Sequence, residues 1–530
     1  MALNAKIKIL DCTLRDGGFV NDWNFGRDNI NSIYQRLNES GVDFIELGFL
    51  NSGRKFDQNY SIQPYAGYFS EIINTNNNKC MLLVMIMLDD FNIDDLEECK
   101  NTIFTGVRLV YKKTKIDKAY EYAKKITEKG YKLFLQPASL TDYSDEEAKN
   151  MLLKMITLNP FAVYMVDTYG LMHRKDLIRY YDIFNKYVPE NILIGFHSHD
   201  NYRLAYSNTI EFIDMAKREV IADCTVCGMG KDSGNANTEL VLQYLNRNYN
   251  ENYNISQIIE IIDLNITDIL KKFSWGYSLE GFVAAAKDCH PSYARYLIGK
   301  KTLSAQSIYK VLDSIPDGNK TNYNKEVIED LYNKHQQIDI CDEASYNILK
   351  EDLADNKILI IAPGQSIDKE QIKILKFIEN KKPVVFGINN ISEKFKADYV
   401  FISNAKRYNK MLYDISAYRR NGFKLITTSN ITETNKKPWL VFNYVNLIFA
   451  QNNIQDNACL MLLKIFEKIN VKKIYIAGFD GFIQDTKNYS DTYSALCSIE
   501  NADEHNDNIK KQLKEFKKLK ISFLTPTKYN

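Results

Sequence analysis

Short apolar runs recur through the first 226 residues, spaced to leave room for a helix between most of them, and many end in a polar side chain. They lie at residues 6–10, 42–49, 80–87, 105–111, 132–136, 161–168, 192–199 and 220–226. Apolar runs of this length bounded by turn residues read as buried strands. The 80–87 run is apolar throughout, as expected of a strand covered on both faces. Helical patterns fall between them at 28–40, 117–129 and 145–158. Eight strands alternating with helices predict a parallel TIM (β/α)8 barrel. An open doubly wound sheet is the alternative. The run ends favour the barrel. Arg15, Asp16, Glu46, Gln136, Asp167, His197 and His199 all fall there, and only a closed barrel gathers the first and last of them at one face.

The chain changes character after residue 250. Residues 251–345 lose their strand-like runs and carry amphipathic helical patterns, read as a helical extension contributing to the active site. A second unit, 346–530, resumes strand-like runs at 357–361, 383–388, 399–403, 423–427, 472–477 and 521–523 and is expected to be a separate Rossmann-like α/β domain. With the barrel at 1–250, this makes three regions, as 530 residues exceed what one core sustains.

Composition excludes some function classes. The 68 basic and 67 acidic residues nearly cancel, so no general attraction to nucleic acid or an anionic membrane is expected. No run is long enough to span a bilayer, and the opening residues lack the apolar core of a signal peptide. Nine cysteines, an odd number without a framework, fit reduced thiols and a cytoplasmic location. Cys224-Thr225-Val226-Cys227 lies in an apolar run and reads as core.

The chemistry concentrates at the run ends. In Arg15-Asp16-Gly17-Gly18 the arginine can stabilise an oxyanion and the aspartate can hold a hard cation. In Gly195-Phe196-His197-Ser198-His199-Asp200-Asn201 strand alternation turns both histidines to one side. Two imidazoles so placed, with Asp16, make a mixed nitrogen–oxygen metal site. The loop 227–239 lacks a Walker ending, and its asparagines can supply an oxygen ligand.

Thr13-Leu14-Arg15-Asp16-Gly17, Ile45-Glu46, His197-Ser198-His199-Asp200-Asn201, and Gly228-Met229-Gly230 with Gly234-Asn235 occur in this order at successive strand ends. Together they resemble the DRE-TIM metallolyase superfamily, which includes 4-hydroxy-2-oxovalerate aldolases, HMG-CoA lyase, and isopropylmalate and homocitrate synthases. The resemblance covers about residues 5 to 300. It implies a divalent cation, Mn2+ or Mg2+, held by Asp16, His197, His199 and Asn235. It makes Arg15 the enolate-stabilising arginine, supported by Glu46. It implies C–C bond making or breaking next to a 2-oxo acid or acyl-CoA enolate, and a homo-oligomer; the aldehyde or carbonyl partner is expected to be a sugar or nucleotide sugar if the second unit holds a nucleotide.

The chain departs from these relatives after Gly17. Phe19 stands where the oxovalerate aldolases keep a base histidine, and Gly18-Phe19 replaces the acidic residue and glutamine of the synthases. A proton carrier is therefore sought elsewhere. His290 and Tyr293, in Cys289-His290-Pro291-Ser292-Tyr293-Ala294, are the candidates, with His173 as runner-up. In the second unit, Ala362-Pro363-Gly364-Gln365-Ser366, Gly387-Ile388-Asn389-Asn390 and Ala477-Gly478-Phe479-Asp480-Gly481 faintly resemble sialyltransferase-like nucleotide-sugar-binding folds. A glycine turn opening a helix there can seat a phosphate. The expected function is a metal-dependent aldolase using a pyruvate-type enolate. The alternatives are an acyl-CoA-dependent condensing synthase and a nucleotide-sugar-binding transferase with the barrel as scaffold.

Overall fold

The computed structural model describes residues 6–354, 356–389, 394–413, 422–432, 438–450, 454–484, 488–490 and 501–530. The chain divides into two units. One comprises residues 1–294 and 320–323; the other comprises 295–319 and 324–530. The stretch 251–345 is thus shared between the two units.

Nine strands form the sheet of the first unit: β1 (Ile7–Asp11), β2 (Phe44–Leu50), β3 (Ile62–Gln63), β4 (Met81–Met87), β5 (Gly106–Tyr111), β6 (Lys132–Pro137), β7 (Ala162–Asp167), β8 (Leu193–Ser198) and β9 (Val220–Cys224). Eight pair in parallel in the order β1-β9-β8-β7-β6-β5-β4-β2, and β2 returns to β1 to close the barrel. The two-residue β3 flanks β2 and leaves no distinct signature in the sequence.

Alternation along each strand decides what enters the barrel. Leu10, Phe44, Leu83, Phe134, Ala162, Tyr164 and Ile221 form an apolar cluster inside. Counting two residues onward places Glu46, Gln136 and Asp223 on that inward side, above the apolar layer. The residues between them, such as Ile9, Ile45, Val84, Leu135 and Val163, face the helices in a second, larger core. Gly41, at φ +89°, ends helix Arg27–Ser40 with the left-handed turn that leads into β2. A register shift between Glu46 and Phe49 interrupts the β2–β4 ladder. At Gly48, inside this bulge, a Cβ would lie 1.6 Å from the Ser61 carbonyl oxygen. Three residues apart, Glu46 and Phe49 would otherwise face opposite ways; the bulge turns both toward the barrel mouth.

Among its described residues the second unit has seven parallel strands, β10 (Ile358–Ile361), β11 (Val384–Ile388), β12 (Tyr399–Ile402), β13 (Lys424–Thr428), β14 (Leu440–Phe442), β15 (Lys473–Ala477) and β16 (Lys520–Phe523). Their order is β14-β13-β12-β11-β10-β15-β16. The order reverses between β10 and β15, as in a Rossmann-like sheet. The short β14 was not evident from the sequence. Asn390, part of one motif singled out above, lies outside the described residues, as does Met1-Ala2-Leu3-Asn4-Ala5.

The phosphate seat expected at Ala362–Ser366 is not available. The helix after β10, Ser366–Lys369, has four residues. The Ser366 N–H donates to Asp480 Oδ2 at 2.7 Å and its hydroxyl donates to Asp480 Oδ1. A carboxylate from the β15 turn therefore occupies the amide an incoming phosphate would need. A Cβ on Gly364 would meet the Gly478 carbonyl oxygen at 2.4 Å. The two glycine turns read as separate motifs are packed against each other.

Candidate active site

The loop after β1 is built around close approaches. Asp16 N–H donates to the Cys12 carbonyl at 2.8 Å, and the Trp23 indole N–H donates to the Arg15 carbonyl at 2.7 Å. A Cβ on Gly18 would sit 2.0 Å from the Trp23 ring. Glycine at 18 thus lets the indole pin the backbone of Arg15. The side chains then fan inward. Arg15 Nε donates to Glu46 Oε2 at 2.6 Å, and its Nη1 donates to Asp16 Oδ1. Asp16 Oδ2 accepts from Asn235 Nδ2 at 2.5 Å and lies 3.4 Å from His199 Nε2.

Both histidines are oriented through Nδ1. His197 Nδ1 meets Asp223 Oδ2 at 2.9 Å, and His199 Nδ1 meets the Asp167 carbonyl oxygen at 3.0 Å. Donation from each Nδ1 leaves each Nε2 with a lone pair. One donor atom from each of Asp16, His197 and His199 lies within 4.8 Å of the other two. His199 Nε2 and Asn235 Oδ1 are buried without a hydrogen-bond partner among the described residues. The converging Asp16, His197 and His199, with an orphaned acceptor among them, fit a divalent cation, and the side chain that bears the orphaned Asn235 Oδ1 is bonded to Asp16 through Nδ2.

The electrostatics agree. Burial alone would raise Asp16, but Arg15 and His199 hold it well below the usual carboxylate range. Burial pushes His197 down to about 4 despite Asp223, so its ring is neutral near pH 7. Burial opposes His199, but Asp16 pushes it up. A cation at this point would replace that proton.

Beneath these groups lies an arginine that the sequence reading missed. Arg108 of β5 is fully buried. Its Nη1 donates to Glu46 Oε2 at 2.7 Å, its Nη2 donates to Asp223 Oδ2, and its guanidinium stacks 4.7 Å from the Tyr164 ring centroid. With its amide turned about, Gln136 also accepts from Arg108, at 2.9 and 3.1 Å. Arg108 thus ties the carboxylate that orients Arg15 to the carboxylate that orients His197. The signal was present: Arg108 and Asp223 are charges inside otherwise apolar strand runs, where an unpaired charge is very costly.

The remaining expected residues separate. His290 lines a cavity of about 480 Å³ at the barrel mouth, together with Arg15, Asp16, His197 and His199. Its Nδ1 accepts from the Ser292 N–H at 3.1 Å. Tyr293 does not line that cavity. It is fully buried, and its hydroxyl donates to the Asn322 carbonyl at 2.9 Å. Its place on the first turn of helix Pro291–Gly299 turns it into the core. His173 caps helix Arg174–Tyr187 and stacks on Tyr202, away from the cavity. Asp167 points out of the barrel and accepts from the Leu171 and Met172 N–H groups, holding a turn.

Comparison with known proteins agrees with this geometry. Residues 101–264 match the HMGL-like family model. The 4-hydroxy-2-oxovalerate aldolase of Geobacillus genomosp. 3 is 27% identical over 245 residues, 46% of this chain and 71% of its own. The oxaloacetate decarboxylase of Mycobacterium tuberculosis is 23% identical over 241 residues, 45% of this chain and 70% of its own. The barrel belongs to the DRE-TIM metallolyase superfamily. The 2-isopropylmalate synthase of Saccharolobus solfataricus is also similar, 26% identical over 279 residues, 48% of this chain and 67% of its own. Among solved structures, the N-terminal domain of a protein described as an aldolase, from Bacteroides vulgatus, aligns at 26% identity and TM-score 0.49. It covers 57% of this chain and 99% of that one. HMG-CoA lyase from Bacillus subtilis aligns at 13% identity and TM-score 0.43, over 51% of this chain and 95% of that one. The protein is therefore an enzyme of the DRE-TIM superfamily, a family that uses a divalent metal. No helix among the described residues is long and apolar enough to cross a membrane.

Proposed function

We propose that the chain is a divalent-metal-dependent aldolase or lyase that makes or breaks a C–C bond through a pyruvate-type enolate, with Mn2+ or Mg2+ as cofactor. The convergence of Asp16, His197 and His199 beside Arg15, with an orphaned Oδ1 on the Asn235 side chain that holds Asp16, carries this reading. A cation bound there would supply Lewis-acid polarisation of a 2-oxo acid. The protein's own groups do the rest. Asn235 Nδ2 and Arg15 hold the Asp16 carboxylate in place. Arg15 spends Nε and Nη1 on Glu46 and Asp16, and its Nη2 makes no hydrogen bond to the described residues. That face of the guanidinium is directed to the developing enolate oxygen, where one such donor contributes about 10²–10³ in rate.

His290 is the proton carrier in this reading. With Nδ1 accepting from the backbone, the neutral ring keeps its proton on Nε2 and is set to donate it. Phe19, Phe49, Met85 and Val110 supply an apolar wall that excludes water from the enolate. In the second unit, a small cavity of about 100 Å³ lies where the strand order reverses, between the ends of β10 and β15. The carbonyl partner in this reading is an aldehyde or sugar.

The test is exchange of the pyruvate methyl protons in D2O, followed by NMR. Exchange is expected with Mn2+ or Mg2+, and is expected to stop on chelation and in His197→Ala. Exchange that survives both changes excludes the metal–enolate reading. Release of free CoA from acetyl-CoA in the presence of a 2-oxo acid would assign the chain to the synthases instead.

A further inference from the structure

We infer that the second substrate of the barrel carries an anionic group and that Lys231 is the residue that receives it. This rests on the metal–enolate reading above, and concerns the half of the cavity that the enolate does not fill. Pyruvate has three carbons, and a space of about 480 Å³ is far larger than it needs. The rest must accommodate its partner, so the charge of the walls there selects what that partner is.

Five charged side chains line the cavity outside the metal and arginine cluster and apart from His290: Lys112, Lys115, Lys231, Asp89 and Asp90. Lys115 is neutralised, since its ammonium reaches both oxygens of Asp89 at 2.7 and 2.6 Å. Lys112 donates to the neutral Asn322 side chain at 2.8 Å. Lys231 has no carboxylate within ion-pair distance among the described residues; its ammonium lies 5.6 Å from the centroid of the Phe19 ring. A half-buried ammonium resting on an aromatic face is held in place but not neutralised.

Position separates Lys231 from Lys112. The strand order puts β9 and β5, whose ends lead to these two lysines, on opposite sides of the barrel. Lys231 follows Gly230, at which a Cβ would lie 2.1 Å from Asn235 Nδ2 and 2.7 Å from Asp16 Oδ2. Its side chain therefore starts beside the metal ligands. Its backbone is fixed as well, with the Gly234 N–H donating to the Lys231 carbonyl at 3.0 Å and Asn235 N–H donating to Gly228 O at 3.0 Å. The anion that a lone ammonium takes is a phosphate or a carboxylate.

Inert probes separate this inference from the reaction itself. The full chain is loaded with Mn2+ and saturated with oxalate, a two-carbon stand-in for the enolate. Glycerol 3-phosphate, butyrate and glycerol are then titrated calorimetrically. Glycerol 3-phosphate or butyrate is expected to bind at least tenfold more tightly than glycerol, and which of the two binds tells phosphate from carboxylate. Lys231→Met is expected to erase that preference and Lys231→Arg to keep it, with oxalate binding unchanged in both. Equal binding of charged and neutral probes by the wild type overturns the inference. So does a preference that survives Lys231→Met or is lost instead in Lys112→Met. Loss of pyruvate exchange in the wild type is a separate observation and would count against the metal–enolate reading alone.

Discussion

Arg108→Met should be among the most damaging single changes in the barrel, although Arg108 does not line the cavity. The side chain is fully buried and pairs with two carboxylates, Glu46 and Asp223, that are themselves buried. Methionine fills much of the volume but leaves both carboxylates uncompensated. Breaking a buried pair by removing one partner costs about 3–5 kcal/mol. The loss of the stacking on Tyr164 adds to it. Lysine keeps the charge but cannot fork between two carboxylates, so Arg108→Lys should fall between methionine and wild type. Neutralising one carboxylate should relieve the defect, so Arg108→Met with Asp223→Asn should be less destabilised than the sum of the two by about 1–3 kcal/mol. Urea unfolding followed by tryptophan fluorescence measures this. Trp23 and Trp275 lie in the barrel unit and Trp439 in the other, so a Trp439→Phe background reports the barrel alone. Because Asp223 orients His197, Mn2+ affinity should also fall about 10–100-fold in Arg108→Met. A loss below about 1 kcal/mol, or additivity in the double variant, would show that Arg108 does not couple the two carboxylates.

Other consequences are more local. Gly230→Ala should leave the barrel folded but weaken Mn2+ binding at least tenfold by calorimetry, because its Cβ would press on Asn235 and Asp16. Burial pushes Asp11 up to about 6, against hydrogen bonds from Thr238 and Thr13 that lower it. A raised carboxyl stabilises the fold below its ordinary range near 4 and loses that contribution as pH rises through 6, about 3 kcal/mol in all. Asp11→Asn should remove that fall, so the wild-type-minus-variant stability difference should drop between about pH 4 and pH 6 and be level above pH 6. His290→Ala should lower turnover about 10²–10⁴-fold without moving the unfolding midpoint, whereas Tyr293→Phe should cost about 1 kcal/mol of stability and leave turnover near wild type. Asp480→Ala should destabilise the second unit by about 1–3 kcal/mol, read by Trp439 fluorescence in a background lacking the other two tryptophans.

The barrel and the shared side of His197 and His199 were legible in the residues because both follow from periodicity. A parallel strand covered on both faces is a nearly unbroken apolar run, and strand alternation by itself turns His197 and His199 to one side. Counting in twos from Phe44 also turns Glu46 inward. What periodicity cannot convey is which inward side chains touch across the barrel. Arg108 and Asp223 are 115 residues apart, and only closure of the sheet brings them into one buried network with Glu46 and His197. The same limit explains Tyr293 and Asp480. A helix start and a glycine turn look alike in sequence whether their polar groups face a cavity or the rest of the fold. Packing turned the Tyr293 hydroxyl to a backbone carbonyl and filled the expected phosphate seat with a carboxylate. The local pattern therefore determined the strands and the candidate ligands at their ends, because those depend on neighbours a few residues away. Tertiary structure decided the supporting charges, the bulge that turns Phe49 into the mouth, and the seating of Lys231 on Phe19, because each depends on distant segments meeting in space.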